Sequence, residues 1–222
     1  SGHNYYMWDA KENYWSGHEW NAVTEVWQPT TNDATNGNYA KSNADGSRWY
    51  HEGSGDFEAS VNSLFSQLPN ANEMAWYIMR GDPHWDNTTR WEAFGKTYTG
   101  GLWLKKLSVI AQEQGRQPAK MKTAAPDGVN LLATTNFNFN YYKVDPTSGK
   151  PNDSEISKYF FLPALGYYNS GQLYKCGSLG TYWSSSAAHS NSSEAYRLAF
   201  SSDFVLIRDI DRYYGIVAQP FE

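Results

Sequence analysis

The sequence predicts an α+β fold, with helices in the middle of the chain and antiparallel strands after them. Three observations point there. A capped, helically periodic segment follows residue 69. From Pro126 onward the period shortens to two, in short runs separated by Gly and Ser. Nowhere do strand and helix signals alternate, which disfavours a doubly wound nucleotide-binding sheet.

The 222 residues are 40% hydrophobic and 18% charged, so the chain can bury a core and is not disordered by composition. Ten Trp, seventeen Tyr and ten Phe supply much of that apolar content. Such residues bury large areas, while Tyr and Trp keep a polar tip. We read residues 1–222 as a single domain in three stretches. Residues 1–66 form a loop-rich extension held on the core by aromatic anchors, 67–125 a helical half, and 126–222 a strand-rich half.

In the first stretch, Asn36-Gly37 and Asp45-Gly46 are turn signals. In the second, Asn70 and Glu73 have capping-box spacing, Met74, Tyr77 and Ile78 follow at helical intervals, and Gly81 supplies a stop. A second helix is expected from about Leu102, with Trp103, Leu107, Ile110 and Ala111 on one face and Gly115 at its end. In the third, Asn136-Phe137-Asn138-Phe139-Asn140 alternates like a strand, and residues 145–153 read as a loop. Further strands are expected at 159–162, 182–186, 195–201, 204–210 and 215–221. Alternation along 195–200 puts Tyr196, Leu198 and Phe200 on one face and Arg197 and Ala199 on the other. No fixed-period repeat points to a solenoid or propeller.

The formal net charge is -5, and no basic run exceeds Lys105-Lys106. Nucleic acid is therefore not an expected partner, because phosphate neutralisation needs a basic patch. No apolar run is long enough for a membrane span. The start, Ser1-Gly2-His3, reads as a cloning scar, compatible with a trimmed export signal. A single cysteine, Cys176, excludes an internal disulfide and a multi-thiolate zinc site.

Several constellations invite chemistry and have a plainer reading. Asp82-Pro83-His84-Trp85-Asp86 spaces three metal-type ligands by two, but also suits a turn after a helix. His18-Glu19 and His51-Glu52 lack the helical spacing of a zinc protease and read as surface. Asp209 and Asp211 could share a strand face as an acid–base pair, yet Arg208 and Arg212 beside them suggest ion pairing or a polar recognition face. Cys176 with His189 could be nucleophile and base. No phosphate-binding Gly loop or Gly-x-Ser-x-Gly elbow is present. No metal and no cofactor is expected.

The C-terminal run carries a resemblance. Phe160-Phe161-Leu162-Pro163-Ala164-Leu165-Gly166-Tyr167 leads to Gly171-Gln172-Leu173 and Gly177-Ser178-Leu179-Gly180. Tyr182-Trp183-Ser184-Ser185-Ser186 and Ala195-Tyr196-Arg197-Leu198-Ala199-Phe200 come next, and Val205, Arg212, Gly215 and Val217 close the pattern. Residues 158–221 thus resemble the C-terminal domain of large paralogous surface proteins of Bacteroidetes and Fibrobacter-like bacteria. Residues 68–106 look like the helical half of the same group. The resemblance implies a C-type-lectin-like fold, an antiparallel sheet with two helices and long loops, in the branch that includes formylglycine-generating enzymes. It extends to retroelement-diversified variable proteins, some of them adhesins at pilus tips or on the cell surface.

By function, the resemblance implies a non-enzymatic binding module, extracellular or on the cell surface. Its partner would be a protein or glycan on another cell or particle. The alternatives are a structural subunit or tip of a surface fibre, touching a neighbouring subunit, and an enzyme on the formylglycine-generating type of fold. That enzyme chemistry uses paired cysteines, and this chain has one. The calcium-type sugar motifs of animal lectins are absent; Gln28-Pro29-Thr30 and Trp85-Asp86-Asn87 imitate them poorly. By likeness to the variable positions of those relatives, the expected ligand face comprises Tyr168, Asn169, Tyr174, Lys175, Tyr182, Ala187, His189, Arg197, Phe204, Arg208, Asp209, Asp211 and Tyr213. Tyr-rich faces of this kind give contact area at low entropic cost. The plainer reading of each position is a solvated loop or strand face. Phe204, Leu206 and Ile210 weigh slightly towards contact, because strand residues apolar on both faces must bury both or expose a sticky patch; the plainer reading of those three is core packing against the N-terminal half.

Overall fold

The computed structural model describes residues 4–16, 39–40, 42–43, 49–51, 57–134, 138 and 140–222. The turn signals at 36–37 and 45–46, the pair His18-Glu19, Glu52 and the segment 28–30 lie outside them. The fold is mixed α+β, mostly sheet, with three α-helices among the described residues.

The strongest local signal produces α1, Ala71–Arg80. Asn70 accepts from the Glu73 backbone N–H at 3.0 Å, and the Glu73 carboxylate accepts from Asn70 N–H at 3.0 Å. Both donors would otherwise be orphaned at the helix start. Gly81 caps the far end through its N–H to Tyr77 C=O. The helix lays Met74, Ala75 and Ile78 into the core.

Four strands near the C-terminus build the main sheet: β11 (Gly180–Ala187), β12 (Glu194–Phe200), β13 (Val205–Asp211) and β14 (Ile216–Val217). With β1 (Tyr5–Tyr6) and β6 (Lys143–Val144) the order is β1-β14-β11-β12-β13-β6. Neighbours are antiparallel except β11 and β14. Leu198, Phe200, Val205 and Ile207 share the face that enters the core beside α1. A second sheet has the order β7-β2-β5-β8, formed by β7 (Thr147–Ser148), β2 (His84–Asp86), β5 (Gly101–Lys105) and β8 (Tyr159–Pro163). Two hairpins complete the strands: β3 (Trp91–Ala93) with β4 (Lys96–Tyr98), and β9 (Tyr167–Asn169) with β10 (Gln172–Tyr174).

The expected second helix is corrected. Residues 101–105 are strand β5, and the helix α2 is confined to Leu107–Glu113. Leu102 and Leu104 are buried and alternate with half-buried Trp103, a period of two that pairing with β8 selects. Gly115 does end the helical turn, at φ +60°. A short α3 spans Pro118–Met121. Of the run 136–140, Asn138 and Asn140 are described and neither lies in a strand; Asn138 accepts from Tyr141 N–H in a turn.

One glycine is imposed by packing. A Cβ on Gly180 would lie 1.9 Å from the Phe200 ring across the β11–β12 pair.

Tyr5, Met7, Trp8, Ala10 and Tyr14 are buried in the same hydrophobic cluster as Leu198 and Val217. Two tryptophans lock this segment to β11 in both directions. Trp8 Nε1 donates to Ser184 C=O at 3.0 Å, and Trp183 Nε1 donates to Tyr6 C=O at 2.8 Å. Arg212, fully buried, stacks 3.9 Å from the Phe57 ring centroid and 4.7 Å from that of Trp8. Its Nε donates to Glu194 C=O, and burial draws its guanidinium down to about 9.

Candidate functional site

The face of β12 and β13 that turns away from α1 carries a groove. Cross-strand register sets Arg197 opposite Arg208, Ala199 opposite Leu206, and Ala195 opposite Ile210. Period-two alternation keeps these residues on one side, away from Leu198 and Ile207. Tyr167, Lys175, Leu179, Phe204 and Tyr214 close the groove around them. The hollow measures about 220 Å³. That is below the roughly 300–1,000 Å³ of typical small-molecule clefts, so it suits a few side chains of a larger partner.

Local structure explains each wall. Tyr167 stacks on Tyr174 across the β9–β10 hairpin at 5.6 Å, and Tyr214 stacks on Tyr213 at 5.0 Å. Lys175 sits at φ +57° just after β10. Gly166 holds a left-handed turn there at φ +65°, and a Cβ on it would meet Tyr174 C=O at 2.0 Å. Phe204 enters from the β12–β13 turn, which Ser201 N–H closes on Phe204 C=O at 2.9 Å.

Arg197 is the groove's half-buried cation. One of its Nη atoms donates to Thr181 Oγ1 at 3.1 Å, while its buried Nε has no hydrogen-bond partner among the described residues. Burial, and then the charge of Arg208, lower its guanidinium to about 10. Arg208 is exposed. Among the described residues that line the groove there is no Asp or Glu.

The expected ligand-face residues therefore separate. Lys175, Arg197, Phe204 and Arg208 meet in the groove. Tyr174, exposed, and Tyr213, half-buried, lie behind its two tyrosine walls. Three expectations are corrected because the side chains are core. Tyr182 is fully buried with its hydroxyl on Pro163 C=O, Tyr168 stacks on Tyr14 at 5.3 Å, and Ala187 is 2% exposed. Asn169 is half-buried in β9, where its side chain accepts from Ser170 Oγ. His189 is half-buried in the β11–β12 connection. The groove also contains Tyr167, Leu179, Ala199 and Tyr214, which were not expected there. Alternation around Arg197 could have found Ala199; Tyr167, Leu179 and Tyr214 have no local signal.

Asp209 and Asp211 alternate to the opposite side of β13 from Arg208. Arg212 turns inward to Trp8 and Phe57 instead. The two aspartates meet Glu194 on β12. Burial, then the charge and hydrogen bond of Asp209, then the charge of Asp211, raise the Glu194 carboxyl to about 7. Asp211 also accepts from Tyr213 Oη at 3.1 Å, and burial, then Asp209 and Glu194, raise nearby Tyr196 to about 12.

This cluster gives stability a pH slope with a definite sign. Between about 4.5 and about 7 the folded protein holds the Glu194 proton and the unfolded chain has released it. The contribution is complete below that window and lost as pH rises through it. Replacing Glu194 by Gln is expected to leave the melting temperature unchanged at the acid end and raise it above neutrality. Thermal melts across the window check this; an identical slope in the variant would refute it.

The remaining constellations do not assemble. His84 Nε2 lies 3.5 Å from Asp82, but Asp86 is buried and saturated by Thr88, Thr89 and Trp103. Burial opposes its charge, yet hydrogen bonds from Thr89, Thr88 and Trp103 prevail and hold it well below the usual carboxylate range. Among the described residues no three His, Cys, Asp or Glu side chains converge as a metal set. Cys176 and His189 flank opposite ends of the eight-residue β11, about 23 Å of strand, so they are not a nucleophile and its base. Burial pushes the Cys176 thiol up, against Tyr98, away from what an activated nucleophile needs. No helix among the described residues is long and apolar enough to cross a membrane.

Comparison of the chain with protein-family models, with curated proteins and with solved structures found no match.

Proposed function

We propose that this chain is a non-enzymatic ligand-binding protein with a C-type-lectin-like fold, whose binding face is the β12–β13 groove. One observation carries the reading. Leu206 and Ile210 face outward beside Phe204 and stay half-buried around an open hollow, while the other face of the same strands fills the core. Apolar side chains held open on a rigid sheet mark an interaction surface, and the tyrosines and arginines beside them are residue types enriched in binding hot spots. Display as a surface adhesin, with a face diversified by a retroelement, is the part of the proposal that the resemblance of residues 158–221 supports.

The test is adhesion. Beads coated with the protein would be incubated with a panel of bacterial and host cells, beside beads carrying Phe204→Ser/Leu206→Ser. Wild-type beads are expected to adhere to at least one cell type and the variant to lose most of that adhesion, with circular dichroism unchanged. Equal adhesion by both would remove the groove as the binding face.

A further inference from the structure

Resting on the reading of the groove as the ligand face, we infer that its ligand is an acidic–apolar protein segment, with a carboxylate seated on Arg197 beside Arg208 and flanking apolar side chains in the hollow. The first support is charge. The chain is net negative, yet the described groove lining includes Lys175, Arg197 and Arg208 and no carboxylate. Arg197 and Arg208 are direct cross-strand partners, an arrangement that is unfavourable for like charges. A carboxylate bound on Arg197 would offset the charge that Arg208 places on it. Arg197 is also pre-positioned by Thr181, with a buried Nε–H that has no hydrogen-bond partner among the described residues. An arginine held this way loses little entropy when it meets a carboxylate.

The second support concerns the apolar part. Leu179, Ala199, Phe204, Leu206 and Ile210 offer rounded aliphatic and aromatic contacts that suit Leu, Ile or Phe side chains. A sugar ring would need a free flat aromatic face. Tyr167 stacks on Tyr174, Tyr214 stacks on Tyr213, and Tyr167 and Tyr214 pack on each other at 5.6 Å, so each groove tyrosine already meets two other rings. The small hollow fits two or three peptide side chains better than an oligosaccharide.

The experiment is selection of a random-peptide phage library on the immobilised full chain, then titration of the best synthetic peptide. Enriched peptides are expected to place Asp or Glu beside Leu, Ile or Phe. Exchanging the acid for its amide, or Arg208→Gln or Arg197→Gln in the protein, should weaken binding by at least about tenfold. Binding should also weaken with added salt. Arg208 is exposed, so its variant keeps the test valid if the Arg197 variant fails to fold. Neutral or basic peptides that depend on Phe204 and Leu206 would overturn the charge inference and leave the groove standing. Peptides bound equally well by Phe204→Ser/Leu206→Ser would overturn the groove itself. If no peptide is enriched, or if a sulfated or uronate oligosaccharide binds through the same arginines instead, the peptide assignment fails.

Discussion

Replacing Arg212 by Met is expected to destabilise the protein by about 1.5–3 kcal/mol, the usual consequence of losing a hydrogen bond made by a buried charged group. Arg212 is fully buried, and so is Asp9, whose negative charge acts on it. The guanidinium fills the gap between Trp8 and Phe57 and ties the turn after β13 to the first described segment, where Trp8 N–H donates to Arg212 C=O at 2.9 Å. Methionine keeps most of the volume but removes the charge and the Nε–H to Glu194 C=O. The Asp9 carboxylate then stays buried without that counter-charge. A second change, Asp9→Asn, should recover part of the loss, because asparagine tolerates the left-handed conformation that Asp9 holds at φ +58°. Guanidinium denaturation of the two single variants and the double variant reads the coupling. Strict additivity would show that the two charges do not act as a pair.

Trp183→Ala should cost more, about 3–5 kcal/mol, by a different route. The side chain is fully buried on β11, so its removal leaves a cavity too large for its neighbours to fill. It also strips the Tyr6 carbonyl of its donor. Trp183→Phe separates the two contributions, since it keeps most of the volume and loses the N–H. The expected order of denaturation midpoints is wild type, then Phe, then Ala, with unchanged slopes. A midpoint for the Ala variant within error of wild type would show that β1 does not depend on this anchor.

Local chemistry explains what could be read from the sequence. Asn70 and Glu73 announce α1 because a capping box is made within four residues. Strand β13 is visible because one buried face makes Val205 and Ile207 alternate with more exposed neighbours, whereas β11 is buried on both faces and shows only as an aromatic run. Segment 101–107 misleads because Leu102, Trp103 and Leu107 satisfy a helical stripe as well as a strand. What decides is β8, more than fifty residues away, which the local pattern does not contain.

The site divides along the same line. Arg197 and Arg208 share a face by alternation, once the two strands are put in register. Tyr182 resembles an exposed tyrosine in every local respect. Its burial depends on the Pro163 carbonyl and the Phe200 ring, both contributed by other strands. Tyr168 is likewise claimed by Tyr14, from the far end of the chain. Tyr167 and Leu179 reach the groove through loops whose course no periodicity encodes.

The pairing of Tyr5 with Val217 sets an order of events. Strand β14 lies between β1 and β11, so the first described strand has no place to dock until almost the last one has arrived. A ribosome would emit the aromatic residues of the first segment long before their partners. Closure of so long a loop is slow, and the exposed aromatics would stand open to wrong partners meanwhile. The sheet that presents the groove is thus completed only after β14 has emerged, in one step that joins segments about two hundred residues apart.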